Sequence, residues 1–452
     1  MFNTIPITNT VWPNLQAYWG NGNRYWTSNY AGMQQHNIYP SGYSPLTYAL
    51  AQGFGSPNHI SQWNPMLIGF NLGNNNKLSG IVGFIFNTRG LKKRDFGIDF
   101  IKSIAALFVL SVHFFLKNGY YNIPMTERNI MIPTAFRWIF FTGVPLFIIS
   151  TGYLKRKSKF NGLHYVKITP IIVTTILVGV ITVLYKILFL GESNPLFIWA
   201  RSIWACEQPG YGWYVNMYLC LALIMPFLIY AWNAIESPRK KQMTIIVFAI
   251  LTALPQTINR WPVMDTNLGF TPNRWTTCYA ITYFLIGAYI GEYRPKIKKW
   301  VLGLLFACCI AYQTIKTYIT ANGENFYNGV CADYEDLITV LTGTILFLLI
   351  YDINVKNLPV RAIFASISSV TLGLYLLSWI GDNEIYPYFS YKGRLSNGVN
   401  GMLGSYFLIV PLNFTLCYIG ATTLNIFTKL ITSPITVSYT HLRAHETSLH
   451  LV

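Results

Sequence analysis

Charged residues are scarce in this chain of 452 residues: they make up 11% of it, whereas hydrophobic residues make up 52%. Soluble domains carry about 25% charged residues, so this composition excludes an ordinary soluble protein. Long apolar runs agree with that exclusion. Residues 168–190 and 402–427 each exceed the roughly 20 helical residues that cross the hydrocarbon core of a bilayer.

Alternation of apolar and polar residues is missing from these runs, which excludes the strands of a transmembrane barrel. A helix is the other structure that satisfies its backbone hydrogen bonds in lipid. The sequence therefore predicts an all-α fold, a polytopic transmembrane helical bundle of about ten helices. The predicted spans are 97–116, 131–154, 168–190, 213–231, 243–257, 276–293, 300–319, 336–351, 363–381 and 402–427.

The seven cysteines show no CxxC pair and no histidine at the spacing of a zinc site. We therefore predict neither a metal centre nor a redox motif, and no tightly bound cofactor. Cys206 and Cys331 both fall in loops predicted to lie outside the cell. A disulfide between them is left open, because sequence does not give the distance between the two residues.

The net charge of +17 would suit a nucleic-acid-binding protein, but Lys and Arg cluster in alternate short loops between the apolar runs. Loops of this kind face the cytoplasm. This pattern predicts a multi-pass protein of the plasma membrane, surrounded by membrane lipids, with both termini in the cytoplasm and no nucleic-acid partner. The basic residues on the predicted cytoplasmic side are Arg89, Lys92, Lys93, Arg94, Lys155, Arg156, Lys157, Lys159, Lys167, Arg239, Lys240, Lys241, Arg294, Lys296, Lys298, Lys299, Lys356 and Arg361.

Three regions differ in composition. Residues 1–94 contain no Asp or Glu and lack the basic start and apolar core of a signal peptide. We interpret them as a disordered or spurious extension, with a sugar-binding aromatic module as the alternative. Residues 95–430 form the predicted membrane domain. Residues 431–452 end in a peptide that resembles a translated sequencing adapter, which indicates a non-native tail; the alternative is a metal-binding tail that uses His441, His445 and His450.

The first predicted span carries three residues that are expensive to place in lipid, namely Asp99, Lys102 and His113. Asp99 and Lys102 are three residues apart, so they share a helical face and can pair. Lys102 and His113 share that face too, but eleven residues separate them by about 16 Å along the helix axis. The spacing predicts that Lys102 lies near the cytoplasmic mouth and His113 in the outer half of the membrane.

Lys102 and His113 each have a simpler, structural interpretation. Lys102 is also explained as a lysine that anchors the end of its helix by reaching the interface, and His113 as a buried histidine bonded to a neighbouring helix. His164 is the other histidine of the membrane domain and falls in a basic loop. If the chemistry needs proton abstraction near neutral pH, His113 is therefore the candidate general base.

Motifs along residues 95–430 resemble, in the right order, those of the membrane acyltransferase family 3. They are Ile98-Asp99 followed by Lys102, ten intervening residues and His113; then GVPLFIISTGYL (143–154), HYVKITP (164–170), GWYVNMYLCLALIMPFL (212–228), YFLIGAYIGEY (283–293) and SSVTLGLYLLSW (368–379). The chain departs from the family in three places. The family usually has Arg at the position of Lys102, Thr151 interrupts a Ser-Gly-Tyr-Leu stretch, and Ser378 stands where histidine is common.

The resemblance implies transfer of an acyl group, often acetyl, from cytoplasmic acyl-CoA to a carbohydrate hydroxyl by a stand-alone membrane enzyme. Acyl-CoA would be a co-substrate, and the acceptor a cell-surface carbohydrate or its lipid-linked precursor. His113 would be the catalytic base. Lys102, beside Asp99, and Lys167 would hold the nucleotide phosphates, while Trp213 and Tyr214 would stack against a sugar ring or serve as interfacial aromatics.

A proton-coupled transporter or flippase of a glycan or lipid is the alternative function, because such proteins also carry an ionisable residue inside the bundle. Many of them are built from inverted repeats, and no convincing repeat relates the two halves of this sequence. Binding of acyl-CoA would distinguish the two functions. A purely structural membrane scaffold would leave Lys102 and His113 unexplained.

Overall fold

The computed structural model describes residues 94–126, 130–158, 162–259, 269–326, 333–389 and 398–449. Residues 1–93, Cys331 and the last three residues, including His450, lie outside this part of the chain. Helices dominate the described residues, which confirms the predicted all-α class. They are α1 (Phe96–Lys117), α2 (Met131–Phe141), α3 (Gly143–Lys155), α4 (Leu163–Val166), α5 (Thr169–Phe189), α6 (Leu196–Trp204), α7 (Trp213–Ala234), α8 (Pro238–Thr252), α9 (Leu254–Asn259), α10 (Tyr279–Tyr293), α11 (Lys299–Ala321), α12 (Leu337–Ile350), α13 (Leu358–Ser369), α14 (Thr371–Phe389) and α15 (Gly398–Leu449).

All ten predicted spans coincide with helices, but fewer of them are long enough to cross a membrane unaided. In the described residues seven helical stretches have the required length and apolar composition, if α2 with α3, α4 with α5 and α8 with α9 each count as one stretch. The number rises to eight if the bent pair α13 and α14 also counts as one span. The predicted spans 276–293 and 336–351 correspond to α10 and α12, which have 15 and 14 residues. Several predicted spans are also divided into two helices, so the helical segments outnumber ten.

The divisions have local causes. The second span breaks at Thr142, whose hydroxyl donates to the carbonyl of Ile139 (2.7 Å) and so competes with the helical hydrogen bonds. The fifth breaks at Ala253, two residues before Pro255, a residue that disfavours the helical conformation just ahead of it. The ninth bends by 70° between α13 and α14.

Helix α1 is the central element, since it packs against α2, α3, α13 and α14. Its small and apolar residues, such as Ala105, Ala106 and Leu110, are fully buried. Large apolar residues on α5, α7 and α15 remain exposed in the protein itself, which is expected of helix faces that contact lipid. A polar side chain on α1 is therefore shielded from lipid by its neighbours.

Helices α3 and α10 approach each other unusually closely. A Cβ atom added to Gly287 would lie 2.0 Å from the carbonyl oxygen of Ile149, and one added to Gly152 would lie 1.9 Å from that of Phe284. Small residues allow such contact between membrane helices, where packing replaces the hydrophobic effect as the driving force. The Gly287 and Gly152 contacts fix α3, which forms one wall of the cavity described below.

One sequence-based interpretation changes. His164 is not in a loop: it lies in α4, is buried, and its Nε2 is 2.8 Å from the carbonyl oxygen of Ala222 on α7. A hydrogen-bond partner offsets the cost of burying the imidazole there. Helix α15 passes through residue 431 and continues to Leu449, and the interpretation of residues 431–452 as a non-native tail stays a prediction. Cys206 forms no disulfide with another described cysteine, and Cys331 lies outside the described residues.

Gly287→Ala should destabilise the protein by about 1–3 kcal/mol, since the added methyl group meets a backbone carbonyl that has no room to move. Gly303→Ala is the matched control, because an added Cβ at Gly303 meets nothing within 4 Å. The measurement is the melting temperature of purified protein in detergent, followed by fluorescence-detected gel filtration. Equal melting temperatures for the two variants would contradict the close packing.

Candidate active site

His113 lies in the last turn but one of α1 and faces α14. Its Nδ1 is 2.8 Å from Oδ2 of Asp382. The imidazole is 13% exposed and the Asp382 side chain is fully buried. A carboxylate only accepts hydrogen bonds, so His113 Nδ1 donates the proton, and the lone pair of the neutral ring is on Nε2. That is the tautomer that a general base requires.

Two further donors complete the shell of the Asp382 carboxylate. The Tyr211 hydroxyl donates to Oδ2 (2.9 Å), and the Asn413 amide donates to Oδ1 (2.7 Å). Burial, and then the neighbouring carboxylate, raises the pKa of the Tyr211 phenol far above its usual range, which keeps it a donor. Asp382 therefore has a donor on each oxygen, and its orientation is fixed.

Tyr211 holds the histidine in a second way. Its ring stacks on the imidazole of His113, with 3.8 Å between the ring centroids and 25° between the planes. The backbone carbonyl of Tyr211 in turn accepts a hydrogen bond from the Tyr375 hydroxyl (2.6 Å). The imidazole is thus held by a carboxylate at its edge and an aromatic ring over its face.

Glycines allow these groups to meet. A Cβ on Gly381 would lie 2.1 Å from Oδ1 of Asn413, so only glycine lets α14 and α15 approach closely enough for the Asp382–Asn413 bond. A Cβ on Gly210 would lie 2.9 Å from Nε1 of Trp379. Gly210 thereby allows the loop before α7 to seat Tyr211 against α14.

A cavity of about 270 Å³ lies beside these residues, between α1, α3, α5, α7 and α14. Lys102 and Lys155 contribute its charged groups, and its remaining wall is largely apolar. Val109, one turn before His113 on α1, and Tyr375, which holds Tyr211, also line it. The cavity therefore runs along α1 from a basic end towards the histidine.

Asp99 and Lys102, which the spacing would allow to pair, bond to other groups. Both oxygens of Asp99 accept from Arg94, at 2.8 and 2.6 Å. The Lys102 ammonium instead donates to the carbonyl oxygen of Ser368 (2.9 Å) at the bend between α13 and α14. Asp99 bonds to Arg94 because the planar guanidinium donates two parallel hydrogen bonds to one carboxylate, which a lysine ammonium cannot do. Asp99 has no place in the cavity wall, whereas Lys102 does.

Of the other predicted site residues, only Tyr214 lines the cavity, as Lys102 does. Lys167 is exposed and outside the cavity wall, yet close enough to Lys155 for their charges to repel. Trp213 does not line the cavity either: its side chain is 43% exposed and stacks on Tyr334 with ring centroids 5.6 Å apart. The rings of Trp213 and Tyr214 nevertheless contact each other edge-on, with centroids 6.1 Å apart.

Ser150 adds a hydroxyl to the cavity wall that no partner in the described chain satisfies. Its neighbour Thr151 donates to the carbonyl four residues earlier, which is the usual solution for a hydroxyl on a membrane helix. A buried polar group without a partner costs free energy in an apolar surrounding. Ser150 is therefore a candidate for contact with a ligand.

A family model described as an acyltransferase domain matches residues 95–422. The chain belongs to the acyltransferase 3 family. Neither a curated protein nor a solved structure matches it. Within the residues that the structure describes, no group of His, Cys, Asp or Glu is arranged to hold a metal ion.

Three residues of this candidate site were missed at the sequence level: Tyr211, Asp382 and Asn413. A signal existed for two of them, because Asp382 and Asn413 lie on membrane helices, where a carboxylate or an amide normally has a function. The family resemblance pointed to Ser378, which donates to the carbonyl of Tyr375 (2.8 Å). The residue that bonds to His113 is Asp382, one turn later. Nothing in the sequence indicated Tyr211.

Asp382→Asn should lower the acyltransferase rate by roughly 10⁴-fold, the loss seen when an orienting aspartate is replaced by asparagine in a hydrolase triad. The amide offers His113 no negative charge and favours the wrong tautomer. Asp352→Asn serves as the control, since Asp352 pairs with Lys299 at a half-exposed site away from His113. Acyl incorporation from labelled acyl-CoA into membranes is the measurement, and an active Asp382→Asn protein would contradict the assignment.

Proposed function

We propose that this acyltransferase moves an acyl group, most simply acetyl, from cytoplasmic acyl-CoA to a hydroxyl of a cell-surface carbohydrate or its lipid-linked precursor, in the plasma membrane. One observation carries the proposal. The cavity has lysines at one end, and Tyr375 in its wall is bonded to the tyrosine that stacks on His113. A basic entrance and a histidine base are the two things that such a reaction needs.

The basic end is the proposed entrance for the donor. Lys102 and Lys155 line the cavity, and Lys167 lies nearby at the surface. Lysine binds phosphate as a point charge, so these side chains suit the nucleotide phosphates of coenzyme A. Their cytoplasmic placement follows from the distribution of Lys and Arg among the loops, and it matches the compartment in which acyl-CoA is found.

The cavity wall suits a flexible arm that carries a thioester. Lys102 and Val109 are seven residues apart, or about 10 Å along α1, and His113 is one turn further. An arm anchored at the lysines therefore has to extend about 16 Å to reach the level of His113. Ser150 and Tyr214 belong to a wall that is otherwise largely apolar. We propose that their hydroxyls bond to amide groups of the arm.

The chemical step is then an acyl transfer with a general base. Nε2 of His113 takes the proton of the acceptor hydroxyl while the hydroxyl oxygen attacks the thioester carbonyl. The tetrahedral intermediate collapses, the carbon–sulfur bond breaks, and the sulfur leaves as thiolate. The thiolate then takes the proton from the imidazolium. Asp382 stabilises the imidazolium in between, without itself taking the proton.

The acceptor is proposed to arrive from the opposite end of the bundle. Trp213, the half-exposed aromatic residue at the start of α7, keeps its proposed role of stacking against a sugar ring. Tyr214 is now assigned to the donor instead, because it lines the cavity. Donor and acceptor therefore meet His113 from two sides, which keeps the thioester away from bulk water.

His113→Gln should abolish acylation of the cell-surface glycan, because glutamine has no side-chain nitrogen that accepts a proton near neutral pH. His164→Gln is the matched control: His164 is also a buried histidine, but it is bonded to a backbone carbonyl of α7, away from the cavity. Mass spectrometry of the glycans gives the result, as the presence or absence of one acyl mass. A glycan that keeps this mass in the His113→Gln strain would overturn the proposal.

Lys102→Gln should raise the KM for acetyl-CoA about tenfold or more, since it removes a phosphate-binding charge from the cavity. Lys299→Gln is the control. Lys299 also donates to helix carbonyls, those of Leu348 and Leu349, and lies at the same basic end, but it is outside the cavity. Labelled acetyl-CoA and inside-out vesicles give both KM values; an equal rise in the two variants would reduce Lys102 to a general surface charge.

A further inference from the structure

Tyr211 is held at two points by one face of α14. Tyr375 bonds to its backbone carbonyl, and Asp382 accepts from its hydroxyl. Tyr375 and Asp382 are seven residues apart, which is about two helical turns, so both project from the same face. The two anchors fix the loop at its backbone and the ring at its tip, and the ring therefore has little freedom to tilt.

The His113 imidazole is confined by the same residues. Its edge bonds to Asp382 at 2.8 Å, and one face lies against the Tyr211 ring, 3.8 Å between centroids. A shift of Tyr211 would weaken the stacking and remove one of the three donors from Asp382. The alignment of the base consequently depends on Tyr375, which holds the backbone of Tyr211 through its hydroxyl.

Tyr375 also belongs to the cavity wall, whereas His113 and Asp382 do not. Its ring packs edge-on against Tyr214, another wall residue, with centroids 5.5 Å apart. One side chain thus contacts the proposed path of the acyl donor and, through its hydroxyl, the group that orients the base. Tyr375 therefore connects the cavity wall to the residue that stacks on the base.

We infer that Tyr375 is a positioning residue for acyl transfer: it holds Tyr211 through the 2.6 Å hydrogen bond to its carbonyl, and so sets the position of His113 relative to an acyl group in the cavity. This inference rests on the proposed function. Tyr375 takes no part in proton transfer. Its effect is on the spacing between the base and the thioester carbonyl, a spacing on which rate depends steeply.

The test uses Tyr375→Phe, which keeps the ring in the cavity wall and removes only the hydroxyl. The kcat for acetyl transfer should fall about tenfold, while the KM for acetyl-CoA changes by less than about twofold, because the lost contact matters for alignment and not for binding. The assay uses labelled acetyl-CoA and inside-out vesicles that contain the endogenous glycan acceptor.

Tyr283→Phe provides a close control. Tyr283 is fully buried, and its hydroxyl donates to the backbone carbonyl of another tyrosine, Tyr334, at 2.7 Å. The change removes the same kind of hydrogen bond from the same bundle, but away from the cavity and from His113. It should lower stability to a similar extent and leave kcat within about twofold of the wild type. An equal loss of kcat in both variants would reduce Tyr375 to a structural role.

A double variant tests whether Tyr375 acts through Tyr211. Tyr211→Phe removes the donor to Asp382, so adding Tyr375→Phe should cost clearly less than it does in the wild type. If Tyr375→Phe lowers kcat by the same factor in both backgrounds, or raises KM and leaves kcat unchanged, the inference is wrong. A wild-type protein that transfers no acetyl group, by contrast, would refute the proposed function itself.

Discussion

The Asp382 carboxylate is the group on which the arrangement of the site depends. A charged side chain in the middle of a membrane helix costs roughly 2.5–3.5 kcal/mol on insertion scales, and more if it faces lipid alone. Here its oxygens accept from His113, Tyr211 and Asn413, which come from three other parts of the chain. Each donor offsets part of that cost only while it stays in place. The hydrogen bonds that this buried charge requires therefore hold α1, α15 and the loop before α7 against α14.

Close backbone packing is the second constraint, and it makes the first possible. Short hydrogen bonds between helices require axes that approach more closely than most side chains allow. Gly381 provides this approach for α14 and α15, and Gly152 with Gly287 provides it for α3 and α10. The first contact forms the carboxylate shell, and the second places the α3 wall of the cavity. Packing deep in the bundle therefore determines whether the polar groups meet.

Features that are encoded locally could be predicted from the sequence. Each predicted apolar run coincides with helix, although the short helices α4 and α6 were not predicted, and the cost of an imidazole in lipid singled out His113. Contacts between distant segments could not be predicted. Asp99 sits three residues from Lys102, yet it bonds to Arg94 and not to that neighbour. Tyr211 lies in a loop with no pattern of its own, and only the fold brings it to His113, about a hundred residues earlier.

The distance between Lys102 and His113 acquires a physical meaning from the cavity. Two polar groups about 16 Å apart on one helix face cannot interact directly, and a bundle with no function would gain by replacing both with apolar residues. Beside α1, between the levels of these two residues, lies a cavity with Lys102 and Lys155 in its wall and an otherwise largely apolar lining, in which the Ser150 hydroxyl has no partner among the described residues. An apolar wall packs best against apolar groups, and a buried hydroxyl is most stable with a hydrogen-bond partner. The proposed acyl donor suits both, because it has a charged end, an amide-bearing middle and a small apolar tip.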